Sequence, residues 1–169
     1  RGLLRSLGRR AGFGERGRGR KGAGRGLPAR VIPFECFHVA SIGMDLLLGA
    51  LAYGASQVRV LLTGREADGY RAALRQQVGY AQSIVTGLGY AGHHFALIET
   101  GKAAALEAQL WNDTPATGIT QAGKFNLSTE KRTSLDFAIE HLAKHAPQPQ
   151  EAIALAAGAP FGALLVNRE

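Results

Sequence analysis

The stretch that most constrains this fold is residues 31–62, whose pattern predicts a strand, a loop, a helix, a tight turn and a second strand. The first predicted strand covers residues 30–36. The helix covers residues 42–53, with Ser41 as its N-cap and apolar side chains recurring every three or four positions. Residues 57–62 are mostly apolar, which is typical of a parallel strand buried on both faces. The stretch therefore predicts one βαβ unit.

The next part of the chain continues the alternation of helix and strand. A long apolar stripe predicts a helix over residues 67–88, which Gly89 can terminate. Gly54 is expected to cap the preceding helix in a left-handed conformation. Residues 94–99 follow as a strand and residues 102–111 as an Ala-rich helix. This alternation predicts an α/β fold, a small Rossmann-like parallel sheet with helices packed on its faces.

The C-terminal part departs from that alternation. Residues 112–127 carry Pro and Gly with little periodicity, so they predict a loop. Residues 129–145 predict a helix, and residues 153–156 and 163–167 predict two short strands. The Rossmann-like sheet is therefore followed by a C-terminal helix and short strands.

The charge distribution separates an N-terminal segment from the domain. An α/β domain over residues 27–169 contains a βαβαβα core in residues 27–111, followed by the loop and the helix and strands of residues 128–169. Residues 1–26 hold nine basic residues against one acid, a net charge of +8, and many Gly. This composition predicts a flexible linker. Nucleic-acid binding through phosphate contacts is the alternative, but Phe13 is the only aromatic residue there.

The single cysteine, Cys36, excludes an internal disulfide framework and any multi-cysteine metal site. No uninterrupted apolar run reaches the roughly 18 residues that a membrane span needs. The basic start is not followed by an apolar segment, so no secretory signal is predicted. We expect a cytoplasmic protein without a membrane span.

Motifs that would carry nucleotide chemistry are absent from the predicted domain. The Gly-rich N-terminal segment contains G-x-G-x-x-G spacings, but no predicted strand precedes them. A dinucleotide site needs a Gly-rich turn between the first strand and its helix, but residues 36–41 contain no Gly. The G-x-x-x-x-G-K-[ST] phosphate loop is missing too. The sequence therefore counts against nucleotide binding.

A few side chains allow other chemistry. Cys36 and His38 have the residue types of a nucleophile and its base, yet positions i and i+2 in a loop rarely meet. A buried, inert Cys is therefore favoured. His141 and His145 are spaced at i and i+4 and can coordinate a metal together, but a solvated helix end is the favoured interpretation.

Two blocks of this sequence resemble an iron–sulfur domain. The phrase Gly54-Ala-Ser-Gln-Val-Arg-Val-Leu-Leu-Thr-Gly64, with a long helix ending in Gly87-Leu-Gly-Tyr90, resembles the delta subunit of methyl-viologen-reducing hydrogenases. That family carries cluster cysteines near the end of the first strand and after the second. Cys36 lies near the first place, whereas residues 62–70 contain no Cys. The resemblance implies the fold without the cluster, because a cluster takes about four ligands.

A longer resemblance covers residues 27–169 and points to the middle region of large bacterial four-iron–four-sulfur ferredoxin-type proteins. It rests on the phrases Leu27-Pro-Ala-Arg-Val-Ile-Pro-Phe-Glu35, Ala40-Ser-Ile-Gly-Met-Asp45, Gly49-Ala-Leu-Ala-Tyr-Gly-Ala-Ser-Gln-Val58, Lys131-Arg-Thr-Ser-Leu135 and Ala156-Ala-Gly-Ala-Pro-Phe-Gly-Ala-Leu-Leu-Val-Asn-Arg-Glu169. In that family, a C-x-x-C-x-x-C-x-x-x-C-P cluster motif follows directly. The resemblance implies a fragment or truncated copy, with four-iron–four-sulfur clusters expected only in the full-length family protein.

The function that this resemblance implies is a scaffold and docking module of a ferredoxin-type electron-transfer protein, rather than an enzyme. Its partner would be a redox partner protein or an adjoining ferredoxin domain, and the chain itself would hold no cofactor or metal. The alternative is a stand-alone Rossmann-like ligand-binding domain or small enzyme. In either case the candidate residues lie at the carboxyl ends of the strands: Phe37, His38, Ser41, Thr63, Gly64 and Glu66.

Overall fold

The structure is a computed structural model that describes residues 2–12, 24–148 and 150–161. Within these residues the chain forms five α-helices and one two-stranded sheet. None of the helices found there is long and apolar enough to cross a membrane. In chain order the elements are α1 (Gly2–Arg10), α2 (Met44–Ala52), β1 (Val58–Leu62), α3 (Asp68–Gly87), β2 (Phe95–Glu99), α4 (Ala103–Asn112) and α5 (Lys131–Lys144).

The two strands pair in parallel, in a register that places Leu62 opposite Glu99. α3 connects them, as parallel neighbours require a crossover between their ends. This arrangement confirms the α/β class. The βαβ unit of the protein spans residues 58–99. The unit predicted from the sequence was at residues 31–62.

Residues 30–36 form no strand, so that prediction is wrong. The proline inside this segment has no N–H to donate to a neighbouring strand. Ile32 and Phe34 are 90% and 77% exposed, rather than buried against a sheet. Residues 153–156 form no strand either. The strand predicted for residues 163–167 lies outside the described residues.

The helices predicted within the domain are confirmed, with slightly different ends. α2 begins at Met44 with Gly43 as its N-cap, because Ser41 instead belongs to a short 3-10 helix. Glycines follow α2 and α3 in the left-handed region, Gly54 with φ +103° and Gly89 with φ +84°. Only glycine adopts that region at little cost, which explains why both helices end there.

The main core forms where α2 packs against α5. Leu47, Leu48 and Leu51 of α2 are fully buried, and Leu142 of α5 is buried with them in one apolar cluster. Burying a side chain of this size contributes about 1.5–3 kcal/mol. α5 is therefore central to the core, although residues 113–130, which form neither helix nor strand, separate it from α4.

The N-terminal segment packs where the sequence predicted a flexible linker. Leu7 of α1 is fully buried and shares a second apolar cluster with Leu106 of α4. The Trp111 indole N–H donates to the Gly26 carbonyl at 2.9 Å. Burial of this kind offsets the entropy lost on ordering the segment. The linker prediction is therefore wrong for α1 and for the chain around Gly26. Its middle, residues 13–23, lies outside the described residues.

Candidate functional site

The six residues expected at the site fall into two groups. Thr63, Gly64 and Glu66 lie in the loop that leaves the carboxyl end of β1, and the other three lie in the segment before α2. The Thr100 N–H donates to the Leu62 carbonyl at 2.9 Å, so the chain leaving β2 runs beside this loop. Within the described ranges, no hydrogen bond joins the two groups.

Glu66 closes the loop after β1. Its carboxylate accepts the backbone N–H groups of Thr63 at 3.0 Å and Gly64 at 2.9 Å, and the Thr63 hydroxyl also donates to it at 3.0 Å. Burial alone would raise the pKa of the Glu66 carboxyl, but these hydrogen bonds together lower it. Backbone amides of this kind suit an anionic ligand, and here an internal carboxylate already occupies them.

Two arginines of α3 bind the last residue of β2. Arg71 and Arg75 donate to the two carboxylate oxygens of Glu99, at 2.7 and 2.5 Å. The hydrogen bond from Arg71, followed by that from Arg75, lowers the pKa of the Glu99 carboxyl. Arg71 also lies 3.3 Å from the exposed carboxylate of Asp68, so acidic side chains of the chain itself largely balance the positive charge of the two arginines.

The cluster of Arg71, Arg75 and Glu99 at the carboxyl end of β2 was not predicted from the sequence. Its one local signal is the spacing of Arg71 and Arg75, which places both on one face of α3. Their partner comes from the strand after the helix, 24 positions beyond Arg75. Only the packing of α3 beside β2 brings these three side chains together.

His38 is held against the first turn of α3. Its Nδ1 accepts the Ala40 N–H at 3.0 Å, and its ring stands edge-on to Tyr70 with the centroids 5.1 Å apart. The Ser41 hydroxyl donates to the His38 carbonyl at 2.6 Å. Cys36 is half-buried against the main core, and in the described part of the chain no hydrogen bond joins it to His38. The geometry favours local structural roles over a nucleophile and base.

The segment before the 3-10 helix exposes three large apolar side chains. Ile32, Phe34 and Phe37 are 90%, 77% and 105% exposed, and we call residues 32–37 the apolar segment. Other large apolar side chains on the described surface are at most 54% exposed. Single exposed apolar residues are common, but three within six positions make this segment a candidate interaction surface. Sequence reasoning missed Ile32 and Phe34 because the predicted strand placed them in a sheet.

Across the described residues, no group of three or more His, Cys, Asp or Glu side chains could hold a metal ion. A groove of about 530 Å³ lies between α3 and the chain near Ile153, with Gln82, Thr86 and Gln150 among its lining residues. None of the six candidate residues lines it.

In comparisons with protein-family models, curated proteins and solved structures, no match to this chain was found.

Proposed function

We propose that this chain is a scaffold and docking module of a ferredoxin-type iron–sulfur electron-transfer protein, with a Rossmann-like fold and no cluster of its own. The partner is a four-iron–four-sulfur ferredoxin domain. The observation that carries the proposal is the apolar segment, where Ile32, Phe34 and Phe37 project almost fully into solvent. The resemblance of residues 27–169 supports the identity of the partner, and the parallel βαβ unit supports the Rossmann-like assignment.

The size of the apolar segment suits a docking role. A buried aromatic side chain covers roughly 150–250 Å². Two phenylalanines and an isoleucine can therefore supply on the order of 500 Å² of the roughly 800 Å² that each partner contributes to a stable interface. Aromatic residues are also enriched among those that dominate binding energy.

At the carboxyl ends of the two strands, the groups that could bind an anion already have carboxylate partners. This supports docking over binding of a small anion. Glu66 occupies the amides of Thr63 and Gly64, and Glu99 occupies Arg71 and Arg75. An anionic ligand would have to displace a carboxylate at either place. Electron-transfer chemistry would come from the partner, because a single thiol cannot ligate a four-iron cluster.

The direct test is binding of a purified two-cluster bacterial ferredoxin, measured by calorimetry, to the chain and to the double variant Phe34→Ser with Phe37→Ser. Because both side chains are exposed, the variant should keep its circular dichroism and melting temperature. We expect its affinity to fall at least tenfold. Leu127→Ser is the matched control, since among the large apolar side chains of the described residues Leu127 is the next most exposed, at 54%. Binding that is absent, or equal in all three proteins, would refute the docking role.

Iron content provides a separate test of the scaffold role. After anaerobic incubation with ferrous iron and sulfide, followed by desalting, the chain should remain colourless and free of iron. Stoichiometric iron, together with the visible absorption of an iron–sulfur cluster, would contradict the scaffold role.

A second candidate function is a stand-alone ligand-binding domain or small enzyme. The observation in its favour is that β1 and β2 end together beside the Thr63 loop, at the edge where α/β sheets bind ligands. Thermal-shift measurements with ATP, NAD and coenzyme A test it. Saturable stabilisation by one of these ligands, lost in Thr63→Ala, would favour this function over docking.

A further inference from the structure

We propose that His141 and His145 form a two-ligand site for a divalent transition-metal ion of the Ni²⁺ or Zn²⁺ type at the C-terminal end of α5. The two residues lie one turn apart on the same helix face. Their ring centroids are 4.6 Å apart, with the ring planes inclined at 50°. The pair is separate from the apolar segment and from the proposed docking function.

The ring spacing is compatible with chelation. Zn–N bonds of about 2.0–2.1 Å place two ligating nitrogens about 3.3 Å apart in tetrahedral geometry. A centroid distance of 4.6 Å is compatible with that separation, because nitrogens on the facing sides of two rings can lie closer together than the ring centroids. Imidazole ligands select Ni²⁺, Cu²⁺ and Zn²⁺ over the oxygen-preferring ions Mg²⁺ and Ca²⁺.

His141 is already oriented as metal-ligating histidines usually are. Its Nε2 lies 2.8 Å from the carbonyl oxygen of Gln121. Because a carbonyl oxygen only accepts hydrogen bonds, Nε2 carries the proton and Nδ1 of the neutral ring keeps its lone pair. A ligating histidine typically donates its other ring N–H to a carboxylate or backbone carbonyl, which holds the ring in place.

The surroundings of the pair also favour a bound cation. The Phe125 ring packs against the His141 ring with the centroids 5.8 Å apart, which helps to hold the imidazole in its orientation. His145 is the C-cap residue of α5, and the C-terminal end of a helix dipole is favourable for a positive charge. Water completes the coordination, since the described residues place no third His, Cys, Asp or Glu side chain at the pair.

The test is titration of the full chain with Ni²⁺, followed by calorimetry and by proton NMR of the histidine rings. We expect one Ni²⁺ per chain, with paramagnetic broadening confined to the His141 and His145 ring signals. His145→Gln should weaken binding at least tenfold, whereas His93→Gln, at an exposed histidine elsewhere, should leave it unchanged. A tenfold excess of Mg²⁺ should not compete.

His145→Gln is the decisive variant because it leaves the His141–Gln121 hydrogen bond intact, and its melting temperature checks that the fold is retained. The absence of saturable Ni²⁺ binding would overturn the proposal and leave the ring pair as a packing contact only. Binding that His145→Gln does not change, or broadening centred on other histidines, would overturn it as well.

Discussion

The Glu107 carboxylate of α4 accepts a hydrogen bond from the Gly26 backbone N–H at 2.5 Å, although the two residues are 81 positions apart. Arg10 of α1 lies 3.3 Å from the same carboxylate. One side chain thus joins α1, the chain around Gly26 and α4. The bond from Gly26, and after it the bond from Arg10, holds the pKa of the Glu107 carboxyl below its ordinary value.

This attachment should weaken in acid. A carboxyl whose pKa is lowered by folding stabilises the protein above its unfolded-state pKa, and the contribution is lost as the pH falls through the folded-state pKa. We expect Glu107→Gln to lower the melting temperature at neutral pH and to differ little from wild type at a pH below both pKa values. Glu140→Gln, at an exposed site on α5, is the control. An equal deficit for Glu107→Gln at both pH values would contradict this role of the charge.

The ion pair between Arg59 of β1 and Asp113 should contribute measurably to stability. The Arg59 Nε and Nη2 groups donate to the two Asp113 oxygens at 2.6 and 2.8 Å, and the side chains are only 14% and 28% exposed. Hydrogen bonds to charged groups contribute about 1.5–3 kcal/mol, so Asp113→Ala should lower the free energy of unfolding by about 2 kcal/mol in urea titrations.

The matched control for that ion pair is Asp136→Ala on α5. Its partner is Arg132, and both side chains are more than half exposed. Pairs of this kind contribute about 0.3–0.5 kcal/mol. If the two substitutions cost the same, the partial burial of the Arg59–Asp113 pair has no energetic consequence.

The loop after β1 should open when Glu66 loses its charge. In Glu66→Gln, the amides of Thr63 and Gly64 exchange a charged acceptor for a neutral one, which weakens each hydrogen bond by on the order of 1 kcal/mol. We expect their hydrogen exchange to accelerate up to about tenfold, as measured by NMR. Asp68→Asn, at a side chain that is 99% exposed, should leave both rates unchanged. Unaltered exchange in Glu66→Gln would show that another group protects the amides.

Two glycines with the same backbone conformation should respond differently to alanine. Gly64 and Gly89 have φ values of +82° and +84°. A Cβ at position 64 would meet nothing within 4 Å, whereas at position 89 it would lie 2.9 Å from the backbone nitrogen of Gln148. Gly64→Ala should therefore lower the free energy of unfolding only by the roughly 1–2 kcal/mol that a left-handed backbone costs a residue with a Cβ. Gly89→Ala should lower it clearly more, because the new Cβ also clashes with the chain at Gln148. If denaturant titrations show similar losses of unfolding free energy for the two variants, the chain at Gln148 moves aside at little energetic cost.

Part of the candidate site follows from local sequence. The apolar run that predicts β1 also places Thr63, Gly64 and Glu66 at its carboxyl end, and the structure has them there. What the residue types alone do not reveal is that Glu66 folds back onto the amides before it. The contact of His38 with Tyr70 depends on how the segment before α2 lies against α3.

By itself, the sequence determined the elements whose stability is local. The apolar stripes of α2, α3 and α5, the apolar runs of β1 and β2, and the left-handed Gly54 all appear near their predicted positions, because helix periodicity and glycine conformation act over a few residues. The tertiary structure alone decided which strands pair and whether the N-terminal segment packs. Residues 30–36 have strand-like composition but no partner, and α1 has Arg-rich composition but a partner in α4. A strand needs hydrogen bonds from a neighbour, and a short helix needs an apolar surface to cover, and both come from residues far along the chain.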